Sequence, residues 1–87
     1  MAYALYMVTC RDPKHVYVGH TQDFQHRAAK YREGLGDAFV KRHGFKRILL
    51  IKNFTTRKEA STEETKLTAR LRKLKGFVVN GAGYTRD

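Results

Sequence analysis

Residues 3–10, Tyr-Ala-Leu-Tyr-Met-Val-Thr-Cys, combine aromatic and branched side chains without charge, which predicts a strand. Arg11-Asp12-Pro13-Lys14 is turn chemistry, and His15-Val16-Tyr17-Val18-Gly19 predicts a second strand. So short a return implies an antiparallel hairpin. From Thr21 or Asp23 as cap, Phe24, Ala28 and Tyr31 recur at helical spacing to about Arg32, with Arg27 on the border of the apolar stripe. Glu33-Gly34-Leu35-Gly36 ends that helix. Asp37 to Gly44 predicts a short helix with an acidic cap and a glycine stop, followed by a strand from Phe45 to Ile51. The run Ile48-Leu49-Leu50-Ile51 is apolar enough to place this strand in the middle of the sheet.

Thr56 and Glu59 have the spacing of a capping box and predict a long helix to about Lys75, with Gly76 as its stop and Phe77-Val78-Val79 as a last short strand. On that helix Ala60, Glu64, Leu67, Leu71 and Leu74 share a stripe that should face the core. Glu64 therefore points inward. A buried carboxylate is costly unless it is paired, protonated or holding a metal, so Glu64 is a site candidate. Glu63 lies farther from the centre of the stripe and ranks behind it. The elements add up to one mixed α/β (α+β) domain: a central antiparallel sheet of about three strands flanked by helices, a core over about 3–80 and a tail over 81–87.

A chain of 87 residues has room for one modest core and no separate recognition domain. Lys and Arg outnumber Asp and Glu by 18 to 8, and the formal charge of +10 predicts attraction to polyanions, nucleic acid first and an anionic membrane second. No apolar run approaches a spanning helix and the start lacks the basic flank of a secretory signal, so a cytoplasmic protein with no membrane role is expected. Cys10, the single cysteine, excludes an intramolecular disulfide and a thiolate zinc site, and it should pack in its strand. His15, His20, His26 and His43 show no paired zinc spacing, and most should lie on the surface.

Taken singly, Tyr6 and Tyr17 are packing residues and Arg27 is a solvated helix residue. Their order says more. Ala4-Leu5-Tyr6, then Tyr17-Val18-Gly19-His20-Thr21, then Arg27, then Ala60 and Glu64 resembles the GIY-YIG nuclease family from the first strand to the long helix. Tyr6 matches the tyrosine of the first half-motif, which here reads Ala-Leu-Tyr in place of Gly-Ile-Tyr. Tyr17 and Gly19 match the second half-motif, Arg27 the arginine of the following helix, and Glu64 the metal-binding glutamate four residues after an alanine. Tyr31 falls where many members carry histidine or tyrosine. His20 stands where the related nuclease of bacterial excision repair has lysine, and Asn80 is the counterpart of an asparagine that closes the site in some members, though it lies farther past Glu64.

The resemblance implies a GIY-YIG fold and hydrolysis of DNA phosphodiesters with one divalent ion, Mg²⁺ or Mn²⁺, on Glu64. Such chemistry needs an aligned water, a group to take its proton, and neutralised phosphate charge. Arg27 would clamp the phosphate, and Tyr6 is the first choice of base with Tyr17 or His20 assisting. An ordinary phenol has a pKa of about 10, so nearby cations or the metal would have to favour its ionised form. Bare backbone at Gly19, beside Arg27, suits close approach of a phosphate. Thr21, Tyr31 and Asn80 are expected to border the nucleic acid.

Lys41, Arg42, Lys46, Arg47, Lys66, Arg70 and Lys73 would contact phosphates, although a run of helix charges is ordinarily a solvated face. DNA ranks ahead of RNA, with weak sequence preference, selectivity for nicked, branched or flapped structures, or targeting by a protein partner or homodimer. Repair, recombination, mobile elements, phages and restriction are the contexts the resemblance brings. Three alternatives stand beside it: a structural Glu64–Arg27 ion pair, a nucleic-acid-binding module that no longer cuts, and a basic adaptor for an acidic protein.

Overall fold

Strand β1 (Tyr3–Cys10) has side chains buried on both faces, and it is the strand around which the sheet is built. The computed structural model describes residues 2–74 and 77–81, the last two in backbone only. β1 pairs antiparallel with β2 (His15–Thr21), with Tyr6 opposite Gly19 and Leu5 opposite His20. On its other side it pairs antiparallel with β3 (Phe45–Phe54), through register shifts at Leu5/Tyr6 and Thr9/Cys10. A fourth strand, β4 (Val78–Gly81), runs parallel to β2, so the order is β3-β1-β2-β4.

β3 is thus an edge, not the middle of the sheet. The apolar run suggested burial on both faces, yet Leu49, Leu50 and Ile51 are 38%, 47% and 45% exposed. The sheet is also one strand larger than expected and not wholly antiparallel, because β4 returns from the long helix alongside β2.

Helix α1 (Phe24–Arg32) starts at Asp23, whose carboxylate accepts from the His26 amide, while Thr21 supports the turn by accepting from the Asp23 amide. Helix α2 (Ala38–His43) is capped by Asp37 and stopped by Gly44 at φ 83°, the left-handed conformation that glycine tolerates. Helix α3 (Arg57–Arg72) opens on the expected capping box: Thr56 Oγ1 accepts from the Glu59 amide at 3.1 Å, and Glu59 accepts from the Thr56 amide at 3.3 Å. It ends three residues before Lys75, with Lys73 as cap, and Gly76 lies outside the described residues.

Alternation along β1 and β2 splits the core into two layers. Tyr6, Val8, Cys10 and Tyr17 pack with Tyr31 of α1 and Val40 of α2 on one face. Leu5, Val16, Val18 and Val79 pack with Leu67 and Leu71 of α3 on the other. The innermost row of α3 is Ala60, Glu64 and Thr68, at steps of four, flanked by the half-buried Leu67 and Leu71. Leu74, expected in the anchoring stripe, lies past the helix end and is 49% exposed. Among the described residues no helix is long and apolar enough to cross a membrane.

Candidate active site

Glu64 is 1% exposed, which the helical stripe predicted, and its carboxylate Oε1 lies 2.6 Å from Nδ1 of His20 on β2. That contact ties α3 to the sheet. His20, a residue 44 positions away in sequence, is thus a partner of Glu64 that the sequence reading did not foresee. Below it, the buried Thr68 hydroxyl donates to the Glu64 carbonyl at 2.8 Å, satisfying a polar group that would otherwise be costly inside. Glu63 is partly exposed and pairs with Lys66 at 3.5 Å, so the choice between neighbouring carboxylates falls to Glu64.

Across the sheet, Tyr6 is surrounded by aromatic rings: Tyr17 at 6.5 Å, Phe24 at 6.5 Å and Tyr31 at 6.1 Å between centroids. The hairpin brings Tyr6 and Tyr17 together on one face, and Gly19 makes this possible. A Cβ there would sit 2.7 Å from the Tyr6 hydroxyl and 2.8 Å from its Cζ. The side of Gly19 on which a side chain would stand is thus occupied by Tyr6 itself. Gly36 does the same for Tyr31, whose ring would clash with a Cβ there. Tyr31 is buried and donates to Asp37 at 3.3 Å, so it joins the tyrosine cluster and not an outer surface.

Burial pushes the Tyr6 phenol above its ordinary 10.0; hydrogen bonding with Tyr31 and the Arg27 charge pull back, while Asp37 and Glu64 add to the rise. Tyr17 is raised by burial and then by Tyr6, with Asp37 and Glu64 adding and Arg27 opposing. Tyr31 is raised by burial and by Tyr6. All three are neutral near pH 7. The expected activation of a tyrosine by nearby cations is present at Arg27 but is outweighed by burial.

Arg27 and His20 meet at the mouth of the site, in a cleft of about 310 Å³ lined also by Tyr3, Thr21, Gln22, Asp23 and Arg57. Arg57, Tyr3 and Gln22 escaped sequence reading. For Arg57 a signal existed: a cation at the first position of a helix opposes the macrodipole, which favours anions there. Asn80 sits opposite Tyr17 in the β2–β4 register, and its side chain lies outside the described residues. The exposed Lys41, Arg42, Lys66, Arg70 and Lys73 do not line this cleft, and Lys46 and Arg47 line a different one.

The donor chemistry at Glu64 fits a hard divalent ion. A carboxylate accepts at about four lone-pair sites, His20 lies against one oxygen, Oε1, and Mg²⁺ is commonly held by one or two carboxylates with water and phosphate oxygens. A second group of metal-type ligands, Asp12, His15 and His43, gathers at the hairpin turn. Separation in the chain hid it. There His43 Nδ1 lies 2.7 Å from Asp12, and the two imidazoles stack at 3.9 Å with an interplanar angle of 23°. Imidazole lone pairs lie in the ring plane, so rings stacked this way aim past each other and not at one shared ion.

The sequence profile of the GIY-YIG catalytic domain matches residues 2–77. The UPF0213 protein OB0043 of Oceanobacillus iheyensis is 32% identical over 63 residues, covering 72% of each chain. No solved structure matches. The profile covers most of the chain, from β1 to the approach of β4, and the chain belongs to the GIY-YIG catalytic-domain family.

Proposed function

We propose that this protein is a metal-dependent endonuclease that hydrolyses DNA phosphodiester bonds, with structure selectivity or weak sequence preference. The observation that carries the reading is the buried Glu64 carboxylate bonded to His20, which in turn borders the Arg27 cleft. Arg27 and Arg57 bind and neutralise the phosphate there, as paired cations do for an anion in a partly enclosed cleft. Glu64 orients His20 through Nδ1, the arrangement by which a carboxylate fixes an imidazole base. His20, held by Glu64 and lining the Arg27 cleft, is placed to take the water's proton. Tyr6 and Tyr17 act as neutral hydrogen-bonding groups that orient water and phosphate. Bound at Glu64, Mg²⁺ or Mn²⁺ supplies charge neutralisation at the phosphate.

The test incubates purified protein with supercoiled, linear, single-stranded and branched DNA, with Mg²⁺, Mn²⁺ or chelator. Cleavage should require the ion and be lost in Glu64→Gln, while Tyr6→Phe keeps part of it. Cutting that survives Glu64→Gln refutes the ligand assignment. A second reading, a nucleic-acid-binding module without catalysis, is favoured by the near-complete burial of Glu64. It predicts salt-sensitive binding of DNA or RNA that survives Glu64→Ala, with no cleavage at any ion concentration.

A further inference from the structure

A cleft of about 450 Å³ lies at the hairpin end of the sheet, lined by Arg11 and Lys14 of the turn and by Lys46 and Arg47 of β3. Among the described residues no carboxylate lines it; the neighbouring Asp12 is turned to His43, 2.7 Å away. Two partly exposed apolar side chains, Leu49 and Phe77, complete its wall. The turn is held in an uncommon form: Lys14 has φ 67°, the left-handed region that a lysine seldom occupies, and its carbonyl accepts from the Val78 amide at 2.8 Å. That bond brings Phe77, the residue before Val78, beside the turn cations.

We infer that this cleft binds an unpaired strand of nucleic acid, its phosphates on Arg11, Lys14, Lys46 and Arg47 and a base stacked on Phe77. Cations with an aromatic face are the combination that holds single strands, whereas duplex bases are already stacked and leave Phe77 unused. The inference rests on the nuclease reading for the polymer it names, and it adds how a substrate arm is held away from the cut. His15 lines this cleft and His20 the other, five residues along β2, a separation of about 17 Å at the strand rise. A strand bound in both clefts must cover that span beyond the scissile phosphate. A structure with a single-stranded arm would then be gripped at two points.

The test measures binding in chelator, so no cleavage is read. Fluorescence anisotropy follows oligothymidylate of about four and about fifteen nucleotides, and duplex of the longer length, over a salt series. Phe77→Ala should weaken the longer single strand about 5- to 150-fold and the duplex less than about twofold. Lys46→Gln with Arg47→Gln should lower the single-strand salt slope by about 1.4, at about 0.7 per phosphate contact. Removing equal charge from the last turn of α1, Lys30→Gln with Arg32→Gln, should leave that slope unchanged. Amide spectra of each variant establish folding, and in the parent protein the longer strand should shift the amides of Lys14, Arg47 and Phe77. Equal losses for single strand and duplex in Phe77→Ala, or a slope change in the α1 variant as large as in the cleft variant, overturn the inference. Loss of cleavage in Glu64→Gln leaves these binding results intact, so the two readings fail separately.

Discussion

Gly19→Ala separates two roles for one glycine. Gly19 is not in the left-handed region, so its backbone alone places no demand for glycine. The demand comes from Tyr6: a Cβ would meet the hydroxyl at 2.7 Å and Cζ at 2.8 Å, and Tyr17 Cε2 at 3.2 Å. Both rings are buried within the aromatic cluster and have little room to swing. Overpacking of this kind costs about 1–3 kcal/mol, and the entropic gain of alanine over glycine in a strand returns about 0.5–1 kcal/mol. The net loss should be about 1–2 kcal/mol.

The chain has no tryptophan, so urea unfolding would be followed by far-ultraviolet circular dichroism or tyrosine fluorescence. With a slope of about 1 kcal/mol per molar urea for a small domain, the midpoint should fall by about 1–2 M. Tyr6→Phe in the Gly19→Ala background removes the atom at 2.7 Å, so the double variant should lose less than the sum of the singles, by about 0.5 kcal/mol or more. If Gly19 served only the approach of a phosphate, Gly19→Ala would be as stable as the parent or more so, and the two changes would be additive. That result refutes the close packing of Tyr6 on Gly19.

Burial raises Tyr6, Tyr17 and Tyr31 above the ordinary 10.0, so the unfolded chain releases these protons before the folded one does. Stability is therefore full below pH 10 and falls as pH rises above it; ultraviolet titration in which all five tyrosines ionise together at the ordinary value would contradict this. Thr56→Ala removes the side chain that caps α3 and should cost about 1 kcal/mol in urea unfolding, with no change in nucleic-acid affinity; a neutral result would mean the capping box contributes nothing to the fold.

The features legible in the sequence were local. Thr56 and Glu59 announced the start of α3 because a capping box is written within four residues, and the inward stripe of that helix exposed Glu64 as an anomaly. The ordered motif then pointed to the family. What escaped was set by distant pairing. Four apolar residues in β3 read as a central strand, yet the strand's place depended on β2 and β4 lying on the far side of β1. The contact of His20 with Glu64 could not be read, because the side of β2 that His20 occupies relative to α3 follows from the sheet and not from either segment. Gly19 was read as space for a ligand, and the packing of Tyr6 where its side chain would stand went unseen, since a motif names a glycine without naming its neighbour. Phe77 gave no local signal either; its place beside Lys14 comes from the parallel β2–β4 pairing.

His20 poses the sharpest remaining choice, because its bond to Glu64 either prepares the carboxylate for an ion or competes with one. An imidazole donor beside a ligating carboxylate ordinarily orients it, and a carboxylate with about four acceptor sites accommodates both. At 2.6 Å from a carboxylate that is 1% exposed, the bond also holds α3 against the sheet. His20→Ala should therefore lower stability by about 1–3 kcal/mol and weaken Mn²⁺ binding by about 10- to 100-fold, read by calorimetry or electron paramagnetic resonance in the absence of DNA. His20→Asn, which keeps a donor near the same place, should recover part of both. Tighter Mn²⁺ binding in His20→Ala would show that the histidine occupies the ion's place, and the pair would then be a lock on the site in place of its support.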